Sequence, residues 1–198
     1  MTSGRPDDEL IGRSRSEPAA FAVIFDRHHA QLYRYLNRRV GAALAADLAA
    51  ETFVVAFARR GDYRPGTGDA RPWLYGIAHN LLRNQLRQER RQLAAYARRG
   101  VDPLADPESA AEFARADSRA DAATANAALA EILARMPARD RDVLLLYAWA
   151  DLSYAEIAAA LEIPVGTVRS RLNRARRQLR ALARSESLSY LGRERWTS

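Results

Sequence analysis

From Val168 to Arg184 the chain carries Arg169, Arg171, Arg174, Arg176, Arg177, Arg180 and Arg184, with Ser170 and Asn173 among them and no acidic residue. A helical surface with no anion along its own length has its natural counter-charge outside the helix. Arginine forks match guanine edges, asparagine matches adenine, and further arginines grip phosphate, so this set of side chains suits the major groove of duplex DNA. Within the same stretch Val168, Leu172, Ala175, Leu179 and Leu182 recur at steps of three and four, drawing an apolar stripe that would seat the helix on a core.

The elements that must position this helix are written just before it. Ser153 followed three residues later by Glu156 is a capping box, which predicts a helix from about Tyr154. Pro164 pushes Ile163 out of helical geometry yet is welcome at the start of a new helix, so Leu161–Pro164 reads as a tight turn. Helix, turn and basic helix together predict a helix-turn-helix that offers Thr167, Arg169, Ser170, Arg171, Asn173, Arg174, Arg176 and Arg177 to DNA.

The whole chain agrees with a nucleic-acid partner. Its 198 residues carry a net charge of +7, and every basic residue is an arginine. The absence of cysteine excludes a disulfide framework, a thiol nucleophile and cysteine-ligated zinc. No apolar run approaches the roughly 20 residues of a membrane span, and the polar start lacks a signal-peptide core, so a cytoplasmic protein without membrane insertion is expected.

In chain order, residues 1–15 read as a disordered lead-in. Ser16-Glu17-Pro18 looks like a cap and first turn of a long amphipathic helix through Phe21, Ile24, Phe25, His28, Leu32, Tyr35 and Leu36, ending at Gly41. The adjacent His28 and His29 point about 100° apart on a helix and read as structural or solvated rather than as metal ligands. A second helix over 42–60 places Asp47 and Glu51 on one face, where like charges ask for a cationic partner.

A glycine-rich loop, 61–69, follows, without the spacing or lysine of a phosphate-binding loop. Asp69 reads as the cap of a third helix from Ala70 to about Ala97, apolar through Trp73, Leu74, Ile77, Ala78, Leu81, Leu82 and Leu86. Its later half is basic, with Arg83, Arg87, Arg90, Arg91, Arg98 and Arg99, a second nucleic-acid surface. Acids and prolines from Gly100 to about Asp121 mark a mobile linker and a domain boundary. Helices are expected again from Ala122 to Met136 and from Pro137, before the helix-turn-helix. The fold class is therefore all-α, with two small helical domains on a flexible linker: lead-in 1–15, first domain 16–97, linker 98–123, second domain 124–184, and a polar tail 185–198.

Two motifs then converge on one family. "Asp-Leu-x-x-Glu-Thr-Phe" at 47–53, the loop, and "Trp-Leu-Tyr-x-Ile-Ala-x-Asn" at 73–80 with the basic run after it resemble region 2 of bacterial RNA polymerase sigma factors. "Met-Pro-Ala-Arg-Asp-Arg-Asp-Val-Leu-Leu-Leu" at 136–146 and "Leu-Ser-Tyr-Ala-Glu-Ile-Ala" followed by "Ile-Pro-Val-Gly-Thr-Val-Arg-Ser-Arg-Leu" resemble region 4. With only these two regions and a linker, the chain resembles the extracytoplasmic-function (ECF) group of the sigma-70 family.

The resemblance implies a fold of sigma region 2 and region 4 domains, and no catalysis or cofactor. Asp47, Leu48, Glu51, Thr52, Phe53 and Phe57 lie where the family binds the clamp helices of the largest subunit of core RNA polymerase, and region 4 would meet the flap of the second largest. Tyr63, Asn80, Arg83, Asn84, Arg87, Arg90 and Arg91 lie where the family captures the minus-ten element, and Val165–Arg177 where it reads the minus-35 element. An anti-sigma protein is a further implied partner. The chain departs from the family at Ala46 and Ala50, where glutamate and glutamine are frequent, and at His79 and Asn84, where arginine and aspartate are usual. The competing reading is a helix-turn-helix regulator that acts without polymerase. It needs a sensor or dimerising domain, whereas residues 16–97 offer a basic helix with Tyr63, Trp73 and Tyr75. An enzyme reading finds no convincing nucleophile, acid or base.

Overall fold

The computed structural model describes residues 5–66, 68–98, 133 and 135–193, without the side chains of 90, 92–98 and 182–193. Among them are seven α-helices and no strand, in two compact units. The expected linker, most of the helix expected over 122–136, and the side chains of Leu182, Arg90 and Arg184 fall outside the described residues.

The first unit contains α1 (Asp7–Arg13), a 3-10 turn (Pro18–Phe21), α2 (Ala22–Val40), α3 (Ala42–Ala58) and α4 (Arg71–Arg98). Its core is built by the apolar stripes of all four helices: Leu10 and Ile11; Ile24, Leu32, Tyr35 and Leu36; Leu48, Phe53 and Ala56; and Leu74, Tyr75, Ala78 and Leu82 are all buried. Burying a leucine or isoleucine side chain is worth about 1.5–3 kcal/mol, so Leu10 and Ile11 alone give α1 a firm reason to dock. Gly41 joins α2 to α3 at φ 82°, a left-handed conformation that glycine adopts without a Cβ penalty.

α1 corrects the expectation of a disordered lead-in over 1–15 for Asp7–Arg13, while residues 1–4 lie outside the described residues. Ser16 does not cap the next helix either; its hydroxyl donates back to the Arg13 carbonyl at 3.2 Å, and Pro18 opens a 3-10 turn before α2.

The second unit contains α5 (Ala138–Trp149), α6 (Tyr154–Leu161) as far as Ala158, and α7 (Val165–Arg193). Pro137 stands at the start of α5, and the run Val143–Leu146 is buried. The capping box forms as the sequence requires: Glu156 accepts from the Ser153 backbone N–H at 2.7 Å, and the Glu156 N–H donates to Ser153 Oγ at 3.3 Å. α6 closes at Glu162, whose φ is 53°, and Pro164 accepts from the Thr167 and Val168 N–H groups to begin α7. Val168, Leu172 and Ala175 are fully buried on the expected stripe. α7 continues to Arg193, so residues 185–193 of the expected tail are helical.

Candidate nucleic-acid interface

In the second unit, Ser170, Asn173, Arg174, Arg176, Arg177 and Arg180 surround one open depression on α7. This surface follows from the stripe beneath it: with Val168, Leu172 and Ala175 turned inward, the polar positions between them must face out. Arg169, Ser170, Asn173, Arg174 and Arg177 are exposed, while Thr167, Arg171 and Arg176 are half-buried.

Two arginines have internal partners that the sequence did not disclose. Arg174 makes a bidentate pair with Asp140 of α5, from Nε to Oδ2 and from Nη2 to Oδ1, each at 3.1 Å. Asp140 is buried, and it answers a charge that the acid-free run on α7 had assigned to an outside partner. Arg176 lies over the Tyr147 ring at 5.1 Å. The Arg174 side chain is still 47% exposed, in an orientation fixed by α5.

In the first unit, Asn80, Arg83, Asn84, Arg87 and Arg91 are all exposed. Their spacing of three, one, three and four residues puts them along one side of α4, opposite buried Ala78 and Leu82. Tyr63 does not join them. Its ring is buried against Trp73 at 4.9 Å and its hydroxyl donates to Asp8, so Tyr63 holds the loop rather than presenting a stacking face. Burial, then the bond to Asp8, raise its pKa.

The acids of α1 organise this end of the unit. Asp7 is 4% exposed. Its Oδ1 accepts from Arg27 Nη1 at 2.8 Å, and its Oδ2 meets His28 Nε2 at 2.6 Å and the Ala70 N–H at 2.9 Å. Burial pushes its carboxyl up, but these bonds and the nearby charge more than reverse that and bring its pKa down to about 2. Asp69 accepts from the Arg71 N–H at 2.8 Å and from Arg71 Nε at 2.7 Å, capping α4 from just outside it. Ligand atoms of Asp7, His28 and Asp69 lie within 4.8 Å of one another. Arg27 and Arg71 already supply the positive charge there, so the cluster is an ion-pair knot.

On α3, Asp47 and Glu51 stand exposed on one face, as the sequence predicts, and Val54 extends that face at 67% exposure. Leu48, Thr52 and Phe53 do not belong to it. Phe53, which the resemblance places at the polymerase contact, is 5% exposed and packs on Phe25 at 4.9 Å, while Phe57 is half-buried against Phe21 and beneath Arg60. A helix with apolar residues on several sides gives no sequence signal for which side wins. Val54 was missed for that reason. His29, stacked between Phe25 and Tyr33, is part of this aromatic cluster.

Two family models match the chain, one after the other. The model of sigma-70 region 2 matches residues 24–92, and that of sigma-70 region 4 matches residues 126–179. The chain is 32% identical over 172 residues to the ECF RNA polymerase sigma factor SigL of Mycobacterium tuberculosis, covering 86% of this chain and 93% of SigL. It is 33% identical over 164 residues to the RNA polymerase sigma factor CarQ of Myxococcus xanthus, covering 82% and 88% of the two chains. In fold it is similar to CnrH, solved with the cytosolic domain of CnrY, with a TM-score of 0.65 and 24% identity over 91% of this chain and 99% of CnrH. Both regions in order, and identity near one third across most of the chain, make this protein a member of the ECF group of sigma-70 family RNA polymerase sigma factors.

Proposed function

We propose that this sigma factor divides its contacts among three surfaces. The α3 face of Asp47, Glu51 and Val54 meets core RNA polymerase. The α4 side of Asn80, Arg83, Asn84, Arg87 and Arg91, with Arg90 on the same run, tracks the unpaired minus-ten strand, and α7 reads the minus-35 duplex. The carrying observation is the exposed α4 series on one side of a helix whose other side is core.

The division follows from the chemistry. Unpairing a base costs a few kcal/mol, and a protein that only binds must recover this by holding the flipped base and its strand. Exposed arginines at helical spacing provide a cationic track, and Asn80 and Asn84 offer donor and acceptor groups to base edges. On α7, Asn173 and Ser170 sit beside Arg174 within one depression, where base reading and phosphate contact can occur together.

Among the described residues no helix is long and apolar enough to cross a membrane. An anti-sigma protein is a further inferred partner. The sigma factor RpoE of Bartonella quintana, solved in complex with the anti-sigma factor NepR, has a similar fold, with a TM-score of 0.57. The chain acts by binding, with no cofactor.

Run-off transcription with purified core polymerase, combined with permanganate probing of promoter thymines, tests the reading. Transcripts and thymine reactivity should require both core enzyme and this chain, and both should fall in the Asn80→Ala, Arg83→Ala double variant. Equal melting by that variant would refute the α4 assignment, and DNA binding without any core-dependent transcript would favour the regulator reading.

A further inference from the structure

The loop after α3 is held largely from outside the region that the sigma-70 region 2 model matches, which begins at residue 24. Its described residues are 61–66 and 68–69. Asp8 Oδ1 accepts from the Tyr63 hydroxyl, and Asp8 Oδ2 accepts from the Gly66 N–H and the Gly68 N–H, each at 3.1 Å. The Asp7 N–H donates to the Gly68 carbonyl at 3.0 Å. Arg15 Nη2 donates to the Gly61 carbonyl at 3.0 Å and to the Tyr63 carbonyl at 3.4 Å, and Arg60 Nε donates to the Ser14 carbonyl at 3.1 Å. Residues 7–15 therefore hold both ends of the loop and its glycines.

Gly68 has φ 74°, which only glycine adopts readily, so its amide is turned toward Asp8 by a backbone choice that a side chain would oppose. A glycine-rich loop without such ties samples many conformations and must lose that freedom on binding a strand. The Asp8 carboxylate spends its lone pairs on one hydroxyl and two backbone donors, so it acts as an internal brace of the loop.

We propose that Asp8 is a positioning residue for minus-ten capture, and that α1 is a brace which pre-forms the loop leading into α4. This rests on the reading of the loop and α4 as the strand-capturing surface. Asp8 touches no DNA. It acts through the Gly66 and Gly68 amides and through Tyr63, so its removal should affect opening and base preference while leaving attachment to polymerase and to the minus-35 duplex unchanged.

The test compares Asp8→Ala, Tyr63→Phe and Asn80→Ala/Arg83→Ala full-length chains, each with core polymerase. Four quantities are measured: core affinity, binding to a minus-35 duplex, permanganate reactivity of a promoter, and the ranking of single-base variants in the minus-ten strand. Peptide-resolved hydrogen exchange over 61–70 monitors the loop. Asp8→Ala should accelerate exchange there and reduce promoter melting about tenfold, the size of one lost charge-assisted hydrogen bond. It should flatten the minus-ten ranking with core affinity and minus-35 binding unchanged. Tyr63→Phe, which removes only a hydroxyl and leaves the ring on Trp73, should shift both readouts the same way by less.

If the Asn80/Arg83 variant loses melting while Asp8→Ala and Tyr63→Phe keep wild-type melting and ranking, the brace proposal is overturned and the surface assignment survives. If the Asn80/Arg83 variant melts like wild type, the surface assignment itself is overturned and the proposal with it. If Asp8→Ala loses core binding as well, it has damaged the unit as a whole. Tyr63→Phe then decides: an unchanged ranking overturns the proposal and a flattened one supports it.

Discussion

Replacing Asp7 by asparagine keeps the shape of the ion-pair knot and removes its charge. In the folded chain the Asp7 carboxyl is drawn from an ordinary 3.8 to about 2. That difference of nearly two units corresponds to about 2 kcal/mol of stability carried by the ionised form. Because the folded pKa is the lower one, this stability is fully present above about pH 4. It is lost as pH falls toward 2, and about half of it remains near pH 3. Asp7→Asn should therefore destabilise the first unit by about 2 kcal/mol at pH 7, and its deficit against wild type should shrink to roughly 1 kcal/mol at pH 3. Urea unfolding read by peptide-resolved hydrogen exchange reports this unit separately from the other. The earliest change should be in peptides covering α1 and residues 68–71, which Asp7 joins through the Ala70 N–H. A variant as stable as wild type at pH 7 would refute the reasoning, as would a deficit that stays constant or grows on acidification. Either result would mean that the bonds from Arg27, His28 and Ala70 do not outweigh the burial of the carboxylate.

Other expectations follow from single contacts. Ser153→Ala removes the acceptor for the Glu156 N–H and should lower the stability of the helix-turn-helix by about 1 kcal/mol in thermal unfolding, with DNA ranking unchanged. Charge reversal at Asp47 and Glu51 should weaken binding to core polymerase with the circular dichroism spectrum unaltered, since both side chains are exposed; unchanged affinity in a direct titration would remove α3 from that interface. Asn173→Ala should flatten the preference among minus-35 variants, whereas Arg177→Ala should weaken all of them alike and reduce the salt slope by about one. Measuring the panel at two salt concentrations separates these effects, and a reordered panel with Arg177→Ala alone would mean that α7 enters the groove on a different side.

The helix-turn-helix was legible because every part of it is a short-range rule. Ser153 and Glu156 are three residues apart, Pro164 restricts its own neighbour, and Val168, Leu172 and Ala175 lie on one helical side whatever surrounds them. The α4 series was legible for the same reason. Misreadings came where a long-range partner decides. Residues 1–15 look polar and are punctuated by glycine and proline, yet Leu10 and Ile11 find a core, and Asp7 and Asp8 find amides at positions 66–70. Nothing in a local window distinguishes an acid that will cap a distant loop from one in water. On α3, Leu48, Thr52 and Phe53 belong to a helix apolar on several sides, so periodicity could not say that Phe53 turns inward and Val54 outward.

These long-range partners bear on how an arginine-rich protein keeps its cations directed. Each unit places acids beside the surface assigned to nucleic acid, buried Asp7 and half-buried Asp8 near the start of α4 and buried Asp140 beneath α7. Asp7 and Asp140 are each paired with an arginine that offsets their charge, whereas Asp8 accepts only from neutral donors and keeps its own. Asp140 goes further, because a free arginine must lose side-chain entropy when it contacts a base or a phosphate. Arg174 has already lost much of that freedom to its two bonds with Asp140, and it presents its remaining N–H groups in a set direction. Its neighbours Arg177 and Arg180 form no such ion pair among the described residues and can adjust along a phosphate backbone. A fixed cation suits discrimination and a mobile one suits affinity, so α7 carries both kinds along one depression.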